Sequence, residues 1–245
     1  MKVLGVEMYD QGMLKAIAEF KDLCKVGPRN LLVSPSDANV LVHARTNPGF
    51  KKILSEFFWN LPDGMPSAWI LRMKGAKNAT RCSGPDFFKR IIVETKDQPV
   101  RHFLCGGKTD TVEALAQACQ SWGNPHVVGT YSPPFRDLTE ADYMEMADRI
   151  NASEANVVWV GLGAPKQIYF AHRMAQYTKV HFLVTVGAAF DFHTGKVKKA
   201  PLWVQKIGME WFFRLSMEPR RLTRRYLNAI PKFIWYNLRD GFLRQ

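Results

Sequence analysis

The residues best able to do chemistry in this sequence are carboxylates and cations set in turns beside apolar runs. Asp63 lies in Leu61-Pro62-Asp63-Gly64. Either the turn uses aspartate for its local hydrogen bonding, or a carboxylate stands at a strand end to take a proton from a hydroxyl nucleophile. Arg81 precedes Ser83-Gly84-Pro85-Asp86, a helix-start pattern, and is either a solvated charge or a phosphate contact. Gly106-Gly107-Lys108 and Gly161-Leu162-Gly163-Ala164-Pro165-Lys166-Gln167 each follow an apolar run and open a helical pattern. Free N–H groups at a helix start, with an ammonium nearby, suit a diphosphate. The same turns serve plain strand–helix packing, and Gly-x-Gly falls short of the full dinucleotide fingerprint. Asp191, in Ala-Phe-Asp-Phe-His-Thr-Gly, either caps a turn or accepts hydrogen bonds from a ribose or base. Arg214, Arg221 and Arg224, spaced by seven and then three, share one face of a continuous helix, although Pro219 interrupts it. The chain contains no Asp-x-Asp, and its six histidines make no pair at metal-ligand spacing. No metal and no cofactor is therefore expected, and diphosphate charge would be met by Arg, Lys and helix N-termini.

Apolar runs that read as strands fall at residues 3–6, 31–33, 102–105, 126–128, 157–160 and 180–185. Helical patterns fall at 12–24, 38–45, 50–58, 85–93, 109–121, 138–150 and 166–174. Ser36 or Asp37 caps the second of these, and Pro165 suits the first position of the last. Strand and helix in alternation predict an α/β fold: a Rossmann-like parallel sheet with helices on both faces. Ligands of such sheets bind beyond the carboxyl ends of the strands. The loops there hold Ser36, Asp37, Asp63, Gly106, Gly107, Lys108, Tyr131, Gly161, Gly163, Lys166 and Asp191, which are expected to converge on one crevice. After Gly195 the alternation stops and three helical segments follow, at 201–208, 210–217 and 219–238. The chain thus reads as an α/β domain, 1–195, with a helical appendage, 196–245.

Charge supports that division. The formal net charge is +12, and residues 196–245 carry +9 of it, with 12 Lys and Arg against Glu210, Glu218 and Asp240. Trp203, Trp211, Phe212, Phe213, Tyr226, Phe233, Trp235, Tyr236 and Phe242 lie among those charges. Basic and aromatic residues together point to an anionic surface, either lipid headgroups or nucleic acid. The 47% apolar content excludes a disordered chain. The longest nearly uncharged apolar run is broken at Gly187 and too short to span a bilayer. The N-terminus lacks a signal-peptide pattern, so a cytoplasmic location is expected. Cys24, Cys82, Cys105 and Cys119 show no Cys-x-x-Cys spacing and read as reduced thiols.

In combination, LPDGM (61–65), RCSGPDFF (81–88), FLCGGK (103–108), VGLGAPKQ (160–167), VGAAFDFHTGKVKKAPLW (186–203) and GMEWFFRLSMEPRRLTRRYL (208–227) resemble the WecG/TagA/CpsF family of bacterial glycosyltransferases. The matches run in order from about residue 30 to 230. The resemblance implies metal-independent, inverting transfer of a hexose or N-acetylhexosamine from a UDP donor. The acceptor it implies is a polyprenyl-diphosphate-linked sugar at the inner membrane face, in cell-surface polysaccharide synthesis. It implies Asp63 as general base, Arg81 and Gln167 at the donor or substrate pocket, and Asp191 toward the nucleoside. Arg214, Arg221 and Arg224 would then meet the lipid diphosphate or the leaving group, on an appendage that closes over the site. Three positions depart from the family pattern. Pro35-Ser36-Asp37 replaces the usual Thr and Asn, Ile168 replaces glutamate, and Lys199 replaces arginine, with loss of bidentate geometry. The second reading is a nucleotide-binding α/β protein whose basic tail grips nucleic acid. A nucleic-acid binder has no need of Asp63 at a strand end, so the transferase reading is preferred, with no nucleic-acid partner. The expected partners are donor, acceptor and an anionic membrane surface, and self-association is compatible with this reading.

Overall fold

The structure is a computed structural model that describes residues 1–242. Residues 243–245, the end of the predicted appendage, and the Phe242 side chain lie outside the described residues. The chain opens with a small antiparallel pair, β1 (Lys2–Val3) and β2 (Val6–Glu7), then α1 (Met13–Leu23). β3 (Leu31–Ser36) leads to α2 (Ala38–Thr46) and α3 (Pro48–Ser55), and β4 (Trp59–Pro62) leads to α4 (Met65–Met73) and α5 (Gly84–Glu94). There follow β5 (His102–Gly106), α6 (Thr109–Ser121), β6 (Val127–Tyr131), α7 (Glu140–Ala152), β7 (Val157–Gly161), α8 (Lys166–Met174), β8 (Phe182–Thr185) and the short α9 (Ala189–His193). Three helices finish the chain: α10 (Leu202–Lys206), α11 (Glu210–Met217) and α12 (Pro219–Phe242).

The sheet has six strands in the order β4-β3-β8-β7-β5-β6 and is all-parallel, flanked by helices, as the strand–helix alternation predicts. Two elements are absent from the sequence reading. Residues 59–62 form β4 although they contain Asn60 and Pro62, which argue against a strand. An edge position tolerates such a proline, and buried Asn60 is satisfied by donating to Glu7 O (3.2 Å) and Leu54 O (3.2 Å). The helix α4 then follows directly. The single strand expected at 3–6 is instead two short strands around Leu4 and Gly5, both at positive φ.

By packing, the chain divides into two compact units. The first comprises Met1–Met13, Pro35–Ser83 and Lys199–Gln245; the second comprises Leu14–Ser34 and Gly84–Lys198. The C-terminal helices are therefore grouped with the β4 region, where the sequence reading places a boundary at residue 195. In the first unit α12 packs on α2 and α11, and its Leu222, Tyr226, Ala229 and Phe233 are all buried. That spacing of four, three and four is one face of a helix. Ion pairs fasten the same two helices at Arg225–Asp37 (2.6 Å) and Arg45–Asp240 (3.3 Å).

The second unit has an aromatic core. Phe20 stacks on Phe182 with ring centroids 3.9 Å apart, and Phe88 meets Trp159 edge-on at 4.9 Å. Within this core His102 is fully buried. Trp159 Nε1 donates to His102 Nδ1 (3.2 Å), which leaves Nε2 to donate to Thr95 Oγ1 (3.0 Å). Thr95 in turn donates to Ile91 O (2.7 Å). Burial pushes the imidazole down to about 3, so it is neutral and the chain of donors closes. Trp159→Phe removes one donor and leaves Nδ1 buried and unpaired, which should cost about 2–3 kcal/mol. Urea unfolding of wild type and variant, with a lowered midpoint and an unchanged slope, checks this.

Candidate active site

The first unit gathers charge around the end of β4. Asp63 follows Pro62 directly, and its N–H donates to Ser36 O, the last residue of β3 (3.4 Å). Cys82 N–H donates to Pro62 O (2.8 Å), which brings the segment holding Arg81 to the same strand end. Gly64, at φ 104°, turns the chain into α4, a conformation that favours glycine. The opposite wall comes from the C-terminal helices. Gly208 lies against the Trp69 ring so closely that a Cβ there would come within 2.9 Å, so the corner between α10 and α11 sits down on α4. Glu210, in the first turn of α11, then reaches Arg81 (2.6 Å).

Asp63 is tightly enclosed yet keeps some accessible surface. Burial, followed by the neighbouring Asp37 charge, pushes its carboxyl up to about 7; Arg81 and Arg214 oppose the shift and Glu210 adds to it. No cation lies in ion-pair contact with Asp63 among the described residues. Asp37 is committed twice: Oδ1 accepts from Val40 N–H (2.9 Å) as the cap of α2, and Oδ2 accepts from Arg225 (2.6 Å). Ser36, buried, lies 3.4 Å from Asn60 Oδ1.

The predicted arginine trio does not form one face. Helix α11 ends at Met217 and α12 begins at Pro219, so the spacing across Glu218 is not helical. Arg214 (3.7 Å) and Arg221 (2.8 Å) both approach the Glu218 carboxylate. Arg224 points outward with Arg220, and both lie on the exposed outer side of α12 with Thr223 and Leu227. Sequence reasoning missed Arg225, Glu210 and Glu218. The signal for Arg225 was present: the buried stripe 222, 226, 229, 233 leaves Arg225 on its edge and Arg224 on the far side.

The second unit brings most of the remaining candidates together at the ends of β5, β7 and β8. Gly107 N–H donates to Gly161 O (3.1 Å), and a Cβ on Gly106 would meet the same carbonyl at 2.6 Å. Phe190 of α9 covers Gly161. Gln167 is buried; it accepts from Gly187 N–H at 2.9 Å, and its own N–H donates to Gly163 O at 2.9 Å. Lys108 is the N-terminal cap of α6, and its side chain is exposed, as is that of Lys166. Pro165 caps α8 in place of the first helical position expected, after a cis peptide bond. Asp191 lies in the first turn of α9, and Tyr131 ends β6 beneath the Arg149 guanidinium (5.3 Å). Among the described residues no group of three His, Cys, Asp or Glu is placed to hold a metal ion.

The model of the Glycosyl transferase WecG/TagA/CpsF family matches residues 1–245. An N-acetylglucosaminyldiphosphoundecaprenol N-acetyl-beta-D-mannosaminyltransferase of Bacillus subtilis is 28% identical over 210 residues, covering 85% of this chain and 78% of its own. A protein of the same name from Bacillus spizizenii is 28% identical over 192 residues, covering 78% and 72%.

Asp63 carries a stability consequence. Its pKa is higher folded than unfolded, so the folded state is favoured at pH below the ordinary carboxylate range, and that advantage is lost as pH rises through about 7. Asp63→Asn cannot ionise. At pH 8 it should melt about 2–6 °C above wild type, and the two melting curves should converge near pH 4, as followed by calorimetry.

Proposed function

The chain belongs to the WecG/TagA/CpsF family of glycosyl transferases, and on that premise we propose that it transfers an N-acetylhexosamine from a UDP donor to a polyprenyl-diphosphate-linked sugar with inversion. The name of the two Bacillus relatives supports the acceptor class and makes N-acetylmannosamine the first donor sugar to test. The observation that carries the mechanism is Asp63: a carboxylate at a strand end, enclosed but accessible, with a pKa near neutrality. A base works best when its pKa lies near the working pH. In the proposed step the acceptor hydroxyl oxygen attacks the anomeric carbon as Asp63 takes its proton. The bond from that carbon to the diphosphate oxygen breaks, and UDP leaves with the bonding pair.

The remaining roles follow from charge. Arg81 and Arg214 stabilise the diphosphate as its negative charge grows. Lys108 and Lys166 offer ammoniums to the donor and the Gln167 side-chain amide a further N–H, while Gly106, Gly107, Gly161, Gly163 and Pro165 shape the turns that present them. Ser36, Tyr131 and Asp191 complete the substrate contacts, Asp191 toward the nucleoside, while Asp37, with both carboxylate oxygens engaged, serves as a structural residue and not as the substrate contact expected. Arg221 serves the lipid diphosphate. Arg224, which faces outward, is better suited to headgroup phosphates than to the leaving group.

Membrane attachment is the last part of this reading. Leu202, Trp203, Leu227, Ile234 and Trp235 are exposed on helices that also carry Arg220, Arg224 and Lys232. Aromatic insertion with basic attraction describes a peripheral contact with an anionic surface, such as the inner face of a bacterial membrane. No helix among the described residues is long and apolar enough to cross a membrane.

The test is a panel of UDP-sugars, UDP-N-acetylmannosamine included, with a short-chain polyprenyl-diphosphate-linked N-acetylglucosamine, read by UDP release and product mass. Asp63→Asn should lose about 10²–10⁴-fold in turnover while UDP binding persists; a rate within about threefold of wild type would remove Asp63 from the mechanism. Turnover should persist in EDTA, because the donors named for the diphosphate are Arg, Lys and N–H groups, not carboxylates. Trp203→Ser with Trp235→Ser should cut co-sedimentation with anionic vesicles by about tenfold, read against phosphatidylcholine vesicles.

A further inference from the structure

The functional reading leaves Arg225 without a task, yet it is among the best-held cations of the first unit. It lies on α12 at the edge of the buried stripe and closes on Asp37 Oδ2 at 2.6 Å, with both side chains about 30% exposed. Asp37 follows the last residue of β3, and Asp63 follows the last residue of β4, the neighbouring strand. Parallel pairing thus sets two carboxylates side by side at the sheet edge, tied by the Asp63 N–H to Ser36 O bond. We propose that Arg225 is a positioning residue for the transfer reaction: by pairing with Asp37 it offsets part of the negative charge beside Asp63 and keeps Asp63 available as a base. This rests on Asp63 being that base.

The charged and titratable groups facing Asp63 are few enough to follow one by one. Asp37 comes from the start of α2, Arg81 from the segment before α5, Glu210 and Arg214 from α11, and Arg225 and Tyr226 from α12. Glu210 is paired with Arg81, and Arg214 approaches Glu218. Arg225 is thus the cation assigned to Asp37, and Asp37 is the carboxylate that most disfavours the charged form of Asp63. Without Arg225 the Asp37 charge acts undiminished on a site where burial already opposes ionisation. A neutral Asp63 cannot accept a proton from the acceptor hydroxyl.

Removing the pair from either end should move the acid limb of the rate profile in opposite directions. Arg225→Gln leaves Asp37 uncompensated, so Asp63 should ionise at higher pH. Asp37→Asn removes the like charge, retains a good helix cap, and should let Asp63 ionise at lower pH. The experiment is kcat/KM by UDP release, from about pH 5.5 to pH 9, on the full chain with the donor–acceptor pair that supports turnover in the panel above. The limb for Arg225→Gln is expected to move alkaline by about half a unit to one unit, with the plateau rate largely recovered. Arg225→Lys should restore the wild-type profile, and Asp37→Asn should move the limb to the acid side. A fall by one factor at every pH in Arg225→Gln, or a raised KM with an unmoved limb, would overturn the proposal in favour of a structural or substrate-contact role. Should Arg225→Gln fail to fold, Asp37→Asn decides: an unmoved or alkaline-shifted limb refutes it. The premise is tested separately by Asp63→Asn. Lost turnover in Asp63→Asn with unmoved limbs in the other variants defeats this inference alone, whereas retained turnover defeats both.

Discussion

Two aspartates at the carboxyl ends of adjoining parallel strands create the electrostatic problem around which the first unit is arranged. Asp37 follows β3 and Asp63 follows β4, and the parallel register that aligns those strands also aligns their ends. A parallel edge of this kind is where α/β proteins place their ligands, but two negative charges in an enclosed position repel and are poorly solvated. The chain meets this asymmetrically. Asp37 receives a helix amide and a guanidinium; Asp63 receives no ion pair among the described residues and keeps a carboxyl near neutrality. On the proposed reading one carboxylate is structural and the other is left to act as the base.

The cations that settle this balance come from the far end of the sequence. Arg214 and Arg225 belong to α11 and α12, and Glu210 of α11 orients Arg81 from the segment before α5. Helix α12 is not held by charge alone. Its buried stripe on α2 supplies the hydrophobic part, and two buried residues of Leu and Phe size are worth several kcal/mol together. The partly exposed ion pairs at Asp37 and Asp240 fix its register more than they add stability. This division explains why Lys199–Gln245 groups with Pro35–Ser83 by packing although they are distant in sequence.

The sheet was legible because buried parallel strands are continuous apolar runs; 157–160 and 182–185 leave little else to choose. The strand β4 was not, since Asn60 and Pro62 spoil its pattern and only the tertiary partners of Asn60, Glu7 and Leu54, make it viable. The loops of the second unit were placed correctly at strand ends from their glycines. What those glycines do emerges only from the structure: Gly106 is required by the approach of Gly161 O, whereas Gly163 has open space around a would-be Cβ and is favoured by its φ of 74° alone. The arginines show the opposite failure. Helical spacing across Pro219 linked Arg214, Arg221 and Arg224, and the break at Glu218 dissolved that link. Burial, unlike spacing, separates Arg225 from Arg224, and burial could be inferred from sequence only by taking Leu222, Tyr226, Ala229 and Phe233 as the inner stripe.

That separation gives α12 two faces with different chemistry. The inner face holds Arg225 against Asp37, in electrostatic reach of Asp63; the outer face presents Arg220, Arg224, Leu227 and Trp235. On the proposed reading the outer face meets lipid headgroups, and the acceptor reaches the enzyme only from that lipid surface. One helix thus carries both the cations turned toward that surface and the cation that compensates Asp37, so attachment and the charge balance beside Asp63 rest on the same element.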